Sequence, residues 1–392
     1  MKPEELADRL SDRVAPVRHL YLHLPFCERI CPYCDFSTAV GAGADVPAFL
    51  NALETEVRLL GESGLTGRLD LDGGTLYLGG GTPSWFEPGV LIHLLRWLGE
   101  IAPGEWREAT VEMNPEHADG ERLDALQHGG ITRISLGAQS LTPAVLRRLG
   151  RIHTPEQVRS SVAVARAAGF DISVDLIFAV PDQQMEDWRR DVTEVMALEP
   201  DHVSLYSLTY ESGTPMDRWR QSGRVTPRDE TWETEAYAWA VEALRSAGYR
   251  RYEISNLARP GAESVHNRAY WSGADYLGIG PSAHSLLAGV RTASTYDVRA
   301  WSDLIGEGRI PWESVEALDD LAVARERVLL GLRADRGVSL EEIPLQYRTG
   351  VEAAAEEVVE RGLAEWTVRP RRLVLTDRGI LLADELAVRI AP

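Results

Sequence analysis

Short apolar runs alternate with longer segments of helical periodicity from about residue 18 onwards. This alternation is typical of βα units that build a parallel sheet. Six runs predict strands, at Arg18–Leu24, Thr75–Leu78, Thr110–Met113, Arg133–Leu136, Ile172–Ile177 and Val203–Leu208. After the first run, apolar residues recur at a spacing near 3.6, which predicts a helix with one face against the sheet. That face comprises Val46, Phe49, Leu50, Leu53, Val57 and Leu60.

The pattern changes after about residue 317. Two helical segments come first, then two β-like runs and a final helix, an order that resembles a winged-helix domain. The first four elements are predicted at Leu321–Leu332, Val351–Arg361, Glu365–Val368 and Arg372–Thr376. We therefore predict an α/β chain with a partial (β/α)6 TIM-like barrel (residues 15–250), a linking region (251–317) and a C-terminal winged-helix-like α+β domain (318–392).

The acidic balance of the chain argues against a nucleic-acid partner. Among its 392 residues, 41 Lys and Arg stand against 60 Asp and Glu, a net charge of −19, and Lys2 is the only lysine. A protein that neutralises phosphates normally carries a basic surface. From Asp319 onwards 11 arginines face 14 acidic residues. The C-terminal pattern therefore favours a structural or substrate-covering module over DNA binding.

The apolar pattern and the cysteine count both favour a protein of a reducing compartment. No run approaches 18 consecutive apolar residues, and Met1–Arg13 lacks the apolar core of a signal peptide, so we expect a cytoplasmic protein. The three cysteines, Cys27, Cys31 and Cys34, lie within eight residues of one another. An odd number of cysteines without an export signal argues against a disulfide framework.

Three thiolates on one loop can converge on a soft metal centre, because thiolates select zinc, copper(I) or iron–sulfur clusters. A structural zinc ion needs a fourth ligand. The chain has no further cysteine, and His23 lies on the preceding strand, four residues before Cys27. The number of cysteines therefore favours an iron–sulfur cluster in which one iron has no protein ligand. A zinc-stabilised interaction module and three structural cysteines remain alternatives.

The residues just after the predicted strands carry most of the functional information, because ligands of barrels and open α/β sheets bind at the carboxyl ends of the strands. These ends are the cysteine loop, Gly79–Pro83, Asn114–Pro115, Gly137–Ser140 and Pro181–Asp182. Glycines let a bound ligand approach the backbone closely. A tight turn between strand and helix is the alternative explanation for the glycine run.

The cysteine spacing, followed by an aromatic residue at the end of a first barrel strand, resembles that of the radical S-adenosylmethionine (SAM) enzymes. Further motifs at strand ends are similar to those of the oxygen-independent coproporphyrinogen III oxidase branch of that superfamily. They are Tyr21-Leu-His-Leu-Pro-Phe-Cys, Gly79-Gly-Gly-Thr-Pro-Ser, Val111-Glu-Met-Asn-Pro, Ser135-Leu-Gly-Ala-Gln-Ser and Val174-Asp-Leu-Ile-Phe. One turn departs from the branch, because Ala179-Val-Pro-Asp stands where Gly-Leu-Pro-Gly is usual.

The resemblance implies a radical SAM barrel whose [4Fe-4S] cluster is held by Cys27, Cys31 and Cys34. The amino and carboxylate groups of SAM would chelate the fourth iron. It also implies a set of residues that contact SAM, some through the glycine run and others through polar or aromatic side chains. These residues are Tyr21, Tyr33, Gly80, Gly81, Thr82, Glu112, Gln139, Arg151 and Asp175.

Two features separate the chain from the decarboxylating enzymes of this branch. Phe36 stands where those enzymes carry a further cysteine. His266-Asn-Arg-Ala-Tyr-Trp matches a motif of the paralogous heme chaperones, the HemW family, whose histidine is associated with heme binding. The resemblance therefore implies that residues 251–317 contact heme, with His266 as the ligand and His284 as a second candidate.

The implied function is that of a heme chaperone, which binds heme, the cluster and SAM and delivers heme to hemoproteins such as respiratory enzymes. We expect it to lack dehydrogenase activity on coproporphyrinogen. The alternative is an oxygen-independent coproporphyrinogen III oxidase, which performs radical oxidative decarboxylation in porphyrin biosynthesis. Peripheral membrane association and a homodimer are compatible with either function.

Overall fold

Six parallel strands form the centre of a nine-stranded sheet, and this confirms the predicted partial barrel. The computed structural model describes residues 5–6, 16–66 and 69–392; most of Met1–Arg13 lies outside this part of the chain. The strands of the first half are β1 (His19–Leu24), β2 (Phe26–Cys27), β3 (Ala39–Val40), β4 (Thr75–Gly80), β5 (Glu108–Met113), β6 (Arg133–Gln139), β7 (Asp171–Phe178) and β8 (His202–Ser207). Strands β1, β4, β5, β6, β7 and β8 are neighbours in this order, and each pair is parallel.

Helices cover the outer face of the sheet, as expected for βα units. Those of the barrel are α1 (Val46–Glu62), α2 (Pro88–Ile101), α3 (Gly120–His128), α4 (Pro143–Arg148), α5 (Pro155–Ala167), α6 (Met185–Ala197), α7 (Pro215–Gln221) and α8 (Glu230–Ser246). The predicted amphipathic helix is confirmed as α1, which buries Phe49, Leu53 and Leu60 in the main core. Full burial of one such side chain contributes about 1.5–3 kcal/mol.

Residues 251–317 are themselves folded and extend the sheet at both edges. They contain β10 (Asn256–Ala258), α9 (Val265–Ser272), β11 (Leu277–Ile279), β12 (His284–Leu287), β13 (Val290–Ser294), α10 (Val298–Gly306) and β14 (Trp312–Ala317), and β9 (Arg250–Arg251) precedes them. Strand β11 pairs in parallel with β1, whereas β10 pairs antiparallel with β8 and β9. Strands β12, β13 and β14 form a separate antiparallel sheet.

The C-terminal elements have a hydrophobic core of their own. They are α11 (Asp320–Arg333), α12 (Arg348–Glu360), β15 (Ala364–Trp366), β16 (Leu373–Leu375), α13 (Asp377–Ile380) and α14 (Ala383–Ile390). Both predicted helices and both predicted β-like runs are found within a few residues of their expected bounds. Helices α11, α12 and α14 pack around Val328, Leu332, Val358 and Leu386. None of the helices within the described ranges is long and apolar enough to cross a membrane.

Candidate functional site

A cavity of about 560 Å³ opens at the carboxyl ends of the parallel strands, and we call it the main cavity. The cysteine loop forms one wall, and the ends of β4 to β8 form the others. Eight of the nine residues that the sequence predicts to contact SAM line it. They are Tyr33, Gly80, Gly81, Thr82, Glu112, Gln139, Arg151 and Asp175. The topology therefore brings together side chains that are up to 142 positions apart in the chain, from Tyr33 to Asp175.

The three cysteines line the main cavity as free, partly buried thiols. Thr82 donates its hydroxyl hydrogen to Cys27 Sγ at 3.3 Å, and Arg151 Nη1 donates to Cys31 Sγ at 3.6 Å. Burial raises the pKa of Cys27, and it raises the pKa of Cys34 to about 11. A coordinating metal deprotonates a thiol outright, so a bound metal would overcome the raised pKa of Cys27 and Cys34.

The glycine run is needed for packing within the protein. Gly80 has φ +107°, in the left-handed region, and a Cβ there would lie 2.5 Å from His23 Cε1. A Cβ on Gly81 would lie 2.5 Å from the carbonyl carbon of Pro25. Both glycines also line the main cavity, so the close approach of the end of β4 to the end of β1 shapes the wall of the cavity.

Glu112 is a buried carboxyl beside the glycine run. Tyr77 donates its hydroxyl hydrogen to Glu112 Oε1, and Gly80 N donates to Oε2, both at 3.0 Å. Burial raises the pKa of Glu112 to about 7, and the two hydrogen bonds oppose that rise. The group can therefore exchange a proton near neutral pH, and as an anion it would attract the cationic end of a ligand.

Arg151 places a buried guanidinium between the cysteine loop and the strand ends. Its Nη2 donates to Asn114 Oδ1 and, at 3.0 Å, to the carbonyl of Gly137. Its Nε has no hydrogen-bond partner among the described residues. A guanidinium on the wall of the main cavity suits a carboxylate, which accepts charge-assisted hydrogen bonds at close range.

Gln139 and Asp175 occupy the far wall of the main cavity. Gln139 has φ +61°, a backbone conformation that is uncommon for a residue other than glycine. Asp175 accepts hydrogen bonds from Ser204 at 2.7 Å, Ser135 at 2.9 Å and Ser173 at 3.4 Å. Burial raises its pKa, and the three hydroxyls oppose the rise. The unusual turn that begins at Ala179 leaves Asp175 well supported within the barrel.

Tyr21, the ninth predicted SAM residue, faces a second cavity of about 240 Å³ deeper in the barrel. Its ring stacks on Tyr77 at 6.1 Å, and its hydroxyl lies 3.1 Å from His23 Nδ1. His23 Nε2 donates to the carbonyl of Ser37 at 2.8 Å. Tyr21 lies three residues before the end of its strand, which places it below the cysteine loop. His23 uses both ring nitrogens within the protein, so it offers no free nitrogen as a fourth metal ligand.

His266 also lines the second cavity and is 1% exposed. Its Nδ1 lies 2.7 Å from Thr75 Oγ1, and its Nε2 lies 2.8 Å from the hydroxyl of Tyr270. Burial lowers its pKa to about 3, so the imidazole is neutral at physiological pH. His284, the second heme-ligand candidate, is in contrast exposed at the start of β12.

Comparison with known proteins places this geometry in a family. The model of the Radical SAM superfamily matches residues 21–195. The heme chaperone HemW of Bacillus subtilis is 32% identical over 94% of this chain and 98% of its own length. The chain belongs to the HemW family of radical SAM proteins.

Two further relatives agree with this family assignment. HemW of Mycobacterium tuberculosis H37Rv is 35% identical over 93% of the chain and 92% of its own length. A bovine mitochondrial protein named radical S-adenosyl methionine domain-containing protein 1 is 34% identical over 95% and 86%. The solved structure of coproporphyrinogen III oxidase HemN from Escherichia coli superposes with a TM-score of 0.85, covering 100% of this chain and 94% of its own, at 21% identity. This structural match supports the fold.

Membership of the radical SAM family implies a [4Fe-4S] cluster and SAM, and the residues of the main cavity fit both. Cys27, Cys31 and Cys34 are soft donors on one wall, and the Arg151 guanidinium lies next to them. Among the described side chains, no three of His, Cys, Asp or Glu are grouped to hold a single metal ion. The fit therefore rests on the donor types and on the shared cavity. When bound, the pair supplies one-electron chemistry at the cluster.

Sequence reasoning assigned no contact to several residues of this HemW-family site. Tyr77, Asn114 and Tyr206 line the main cavity, and Tyr77 and Tyr206 also line the second. Asn114 comes directly after β5, so its position at a strand end was the available signal. Glu56, a buried carboxyl on α1, is not among the residues that line either cavity, but it was missed as well, and its place among the apolar positions of that helix was the available signal.

Proposed function

We propose that this chain is a heme chaperone that carries a [4Fe-4S] cluster with SAM in the main cavity, binds heme and delivers it to hemoproteins. The observation that carries the proposal is the similarity to proteins named heme chaperone HemW, at 32–35% identity over more than nine-tenths of the chain. Respiratory enzymes are the proposed acceptors. The cytoplasm is the proposed compartment, because thiols stay reduced there.

The proposed cofactor contacts follow from the chemistry of the main cavity. Cys27, Cys31 and Cys34 would hold the cluster, and the glycine run with Thr82 would lie against SAM. The Arg151 guanidinium on the cavity wall would pair with the SAM carboxylate. Glu112, as an anion above about pH 7, would favour the cationic part of the cofactor.

His266 is the proposed heme ligand. A neutral imidazole is a common ligand of heme iron, and burial keeps His266 neutral. Both of its ring nitrogens are hydrogen-bonded, to Thr75 and Tyr270. Heme binding at this residue therefore requires that one of these bonds open.

The competing activity, oxidative decarboxylation of coproporphyrinogen III, is disfavoured by Phe36. Its side chain is 64% exposed and lines the main cavity. It stands where the resemblance to the decarboxylating enzymes expects a cysteine, and a phenyl ring cannot replace the thiol in any redox or acid–base step.

The test is a heme titration of protein reconstituted anaerobically with iron and sulfide, followed through the Soret band. We expect saturable binding by the unaltered protein and at least a tenfold loss of affinity in His266→Ala. The matched control is His19→Ala, because His19 Nδ1 bonds the same Thr75 hydroxyl at 2.8 Å. Unchanged affinity in His266→Ala would contradict the ligand role.

A second assay separates the two activities. The same preparation is given coproporphyrinogen III, SAM and a reductant, and the decarboxylated product is measured by chromatography. We expect none. Product formation would overturn the chaperone proposal, since it would show that Phe36 does not prevent the dehydrogenase reaction.

A further inference from the structure

Helix α9, which carries His266, begins at a buried carboxylate of the barrel. Glu108 on β5 accepts hydrogen bonds from Ser264 Oγ, Val265 N and His266 N, each at 2.9 Å. These backbone groups belong to the first turn, where N–H groups have no partner within the helix. The N-terminus of α9 is therefore anchored to the sheet.

The C-terminal domain holds the other end of the same helix. Arg327 on α11 donates from Nη1 to the carbonyl of Ser272 and from Nη2 to that of Gly273 at 3.4 Å. A cation at this position complements the helix dipole. Gly273 has φ +63°, and a Cβ there would collide with the Arg327 guanidinium. The contact thus depends on glycine at the end of α9.

A third contact joins the middle of α9 to the C-terminal domain. Arg268 donates from Nη1 and Nη2 to the two carboxylate oxygens of Asp335, at 2.9 and 3.1 Å. The guanidinium also lies 4.8 Å from the ring centre of Tyr252, and Asp335 N donates to the carbonyl of Tyr252 at 2.9 Å. Arg268 follows His266 by two positions, so the domain contact is close to the proposed ligand.

We propose that the C-terminal domain controls access to His266 by clamping α9 through Arg268 and Arg327. The proposal rests on the proposed function for the identity of the ligand. An imidazole nitrogen that binds iron must give up its hydrogen bond within the protein. Contacts that hold α9 in place favour the closed arrangement, in which Thr75 on β4 occupies Nδ1 of His266. The bond from Nε2 to Tyr270 lies within α9 and does not depend on the position of the helix.

The expected consequence is a population shift. The apparent affinity of a ligand falls by the fraction of protein that is competent to bind it. Weakening the clamp raises that fraction and therefore raises the affinity for heme. Because the Arg268–Asp335 pair is partly exposed, we expect a change of about two- to fivefold. In this arrangement Arg268 acts as a positioning residue and does not touch heme.

The test compares Arg268→Ala with Arg245→Ala. Arg245 on α8 donates to both oxygens of Asp377, at 3.2 and 2.9 Å, so it links barrel and C-terminal domain in the same way without touching α9. Hydrogen–deuterium exchange of the α9 amides is measured without heme, and heme affinity is then measured by Soret titration. The swapped pair, Arg268→Asp with Asp335→Arg, tests whether the ion pair itself is responsible.

We expect Arg268→Ala to speed α9 exchange and to tighten heme binding about two- to fivefold, Arg245→Ala to change neither, and the swapped pair to restore both. An equal response of Arg245→Ala, or unchanged α9 exchange in Arg268→Ala, would overturn the clamp. Faster exchange with unchanged or weaker heme binding would overturn control of access. Failure of the unaltered protein to bind heme would instead refute the proposed function, and the exchange data would still decide whether the clamp exists.

Discussion

Glu56 makes the stability of the barrel depend on pH. This side chain on α1 is 2% exposed and accepts a hydrogen bond from Gly280 N at 2.9 Å. Burial raises its pKa from 4.5 to about 7. The folded state therefore holds the proton more tightly than the unfolded chain does. Stability is highest below pH 4.5 as far as this group is concerned, falls as the pH rises from 4.5 to about 7, and stays reduced above that.

The magnitude follows from the two pKa values. They differ by about 2.5 pH units, and each unit corresponds to 1.36 kcal/mol, so ionised Glu56 costs the folded state about 3 kcal/mol. The variant Glu56→Gln keeps the shape and an acceptor for Gly280 N without the charge. We expect it to be more stable than the unaltered protein by up to about 3 kcal/mol at pH 8 and by less than about 1 kcal/mol at pH 5.

The measurement is urea unfolding between pH 5 and 8, followed by tryptophan fluorescence. Glu62→Gln, on the same helix but exposed, is the control and is expected to show little dependence on pH. A stability difference for Glu56→Gln that is the same at pH 5 and pH 8 would refute the argument. A variant that is less stable at pH 8 would show that the carboxylate contributes more through its hydrogen bond than burial costs.

Three further outcomes are expected. Cys31→Ser should abolish cluster reconstitution, measured as iron and sulfide content; full occupancy would remove Cys31 from the ligand set. Asp191→Ala should lower the free energy of unfolding by about 3 kcal/mol or more, because it leaves the buried donors of Ser140 and Thr142 and an amide unpaired. Gly81→Ala should cost about 1–3 kcal/mol through its collision with the backbone, and an unchanged urea midpoint would contradict that packing.

The central strands could be predicted because each is a short, nearly continuous apolar run next to an amphipathic helix, the pattern of a sheet covered by helices. Strands β9, β10 and β11 were not predicted. They are two or three residues long, too short to show a period, and β10 and β11 pair with strands far along the chain. Leu277, for example, pairs with Leu20.

The main cavity could be predicted in part for a topological reason, since residues that follow parallel strands meet at one edge. The same rule does not say how deep along a strand a side chain lies, so it did not predict that Tyr21 faces the second cavity. The surroundings of His266 were beyond sequence reasoning. Its hydrogen-bond partner Thr75 is 191 positions away in the chain. No local sequence pattern shows that the motif at His266 packs against a hydroxyl on a central strand.

The position of β1 between β4 and β11 bears on how the protein is made. The strand that leads into the cysteine loop pairs with Thr75–Gly80 on one side and with Leu277–Ile279 on the other. During synthesis, the second edge of β1 stays open until more than 250 further residues have left the ribosome. An open strand edge invites wrong pairing. The nascent chain therefore carries its cysteines beside an open strand edge until β11 has been made.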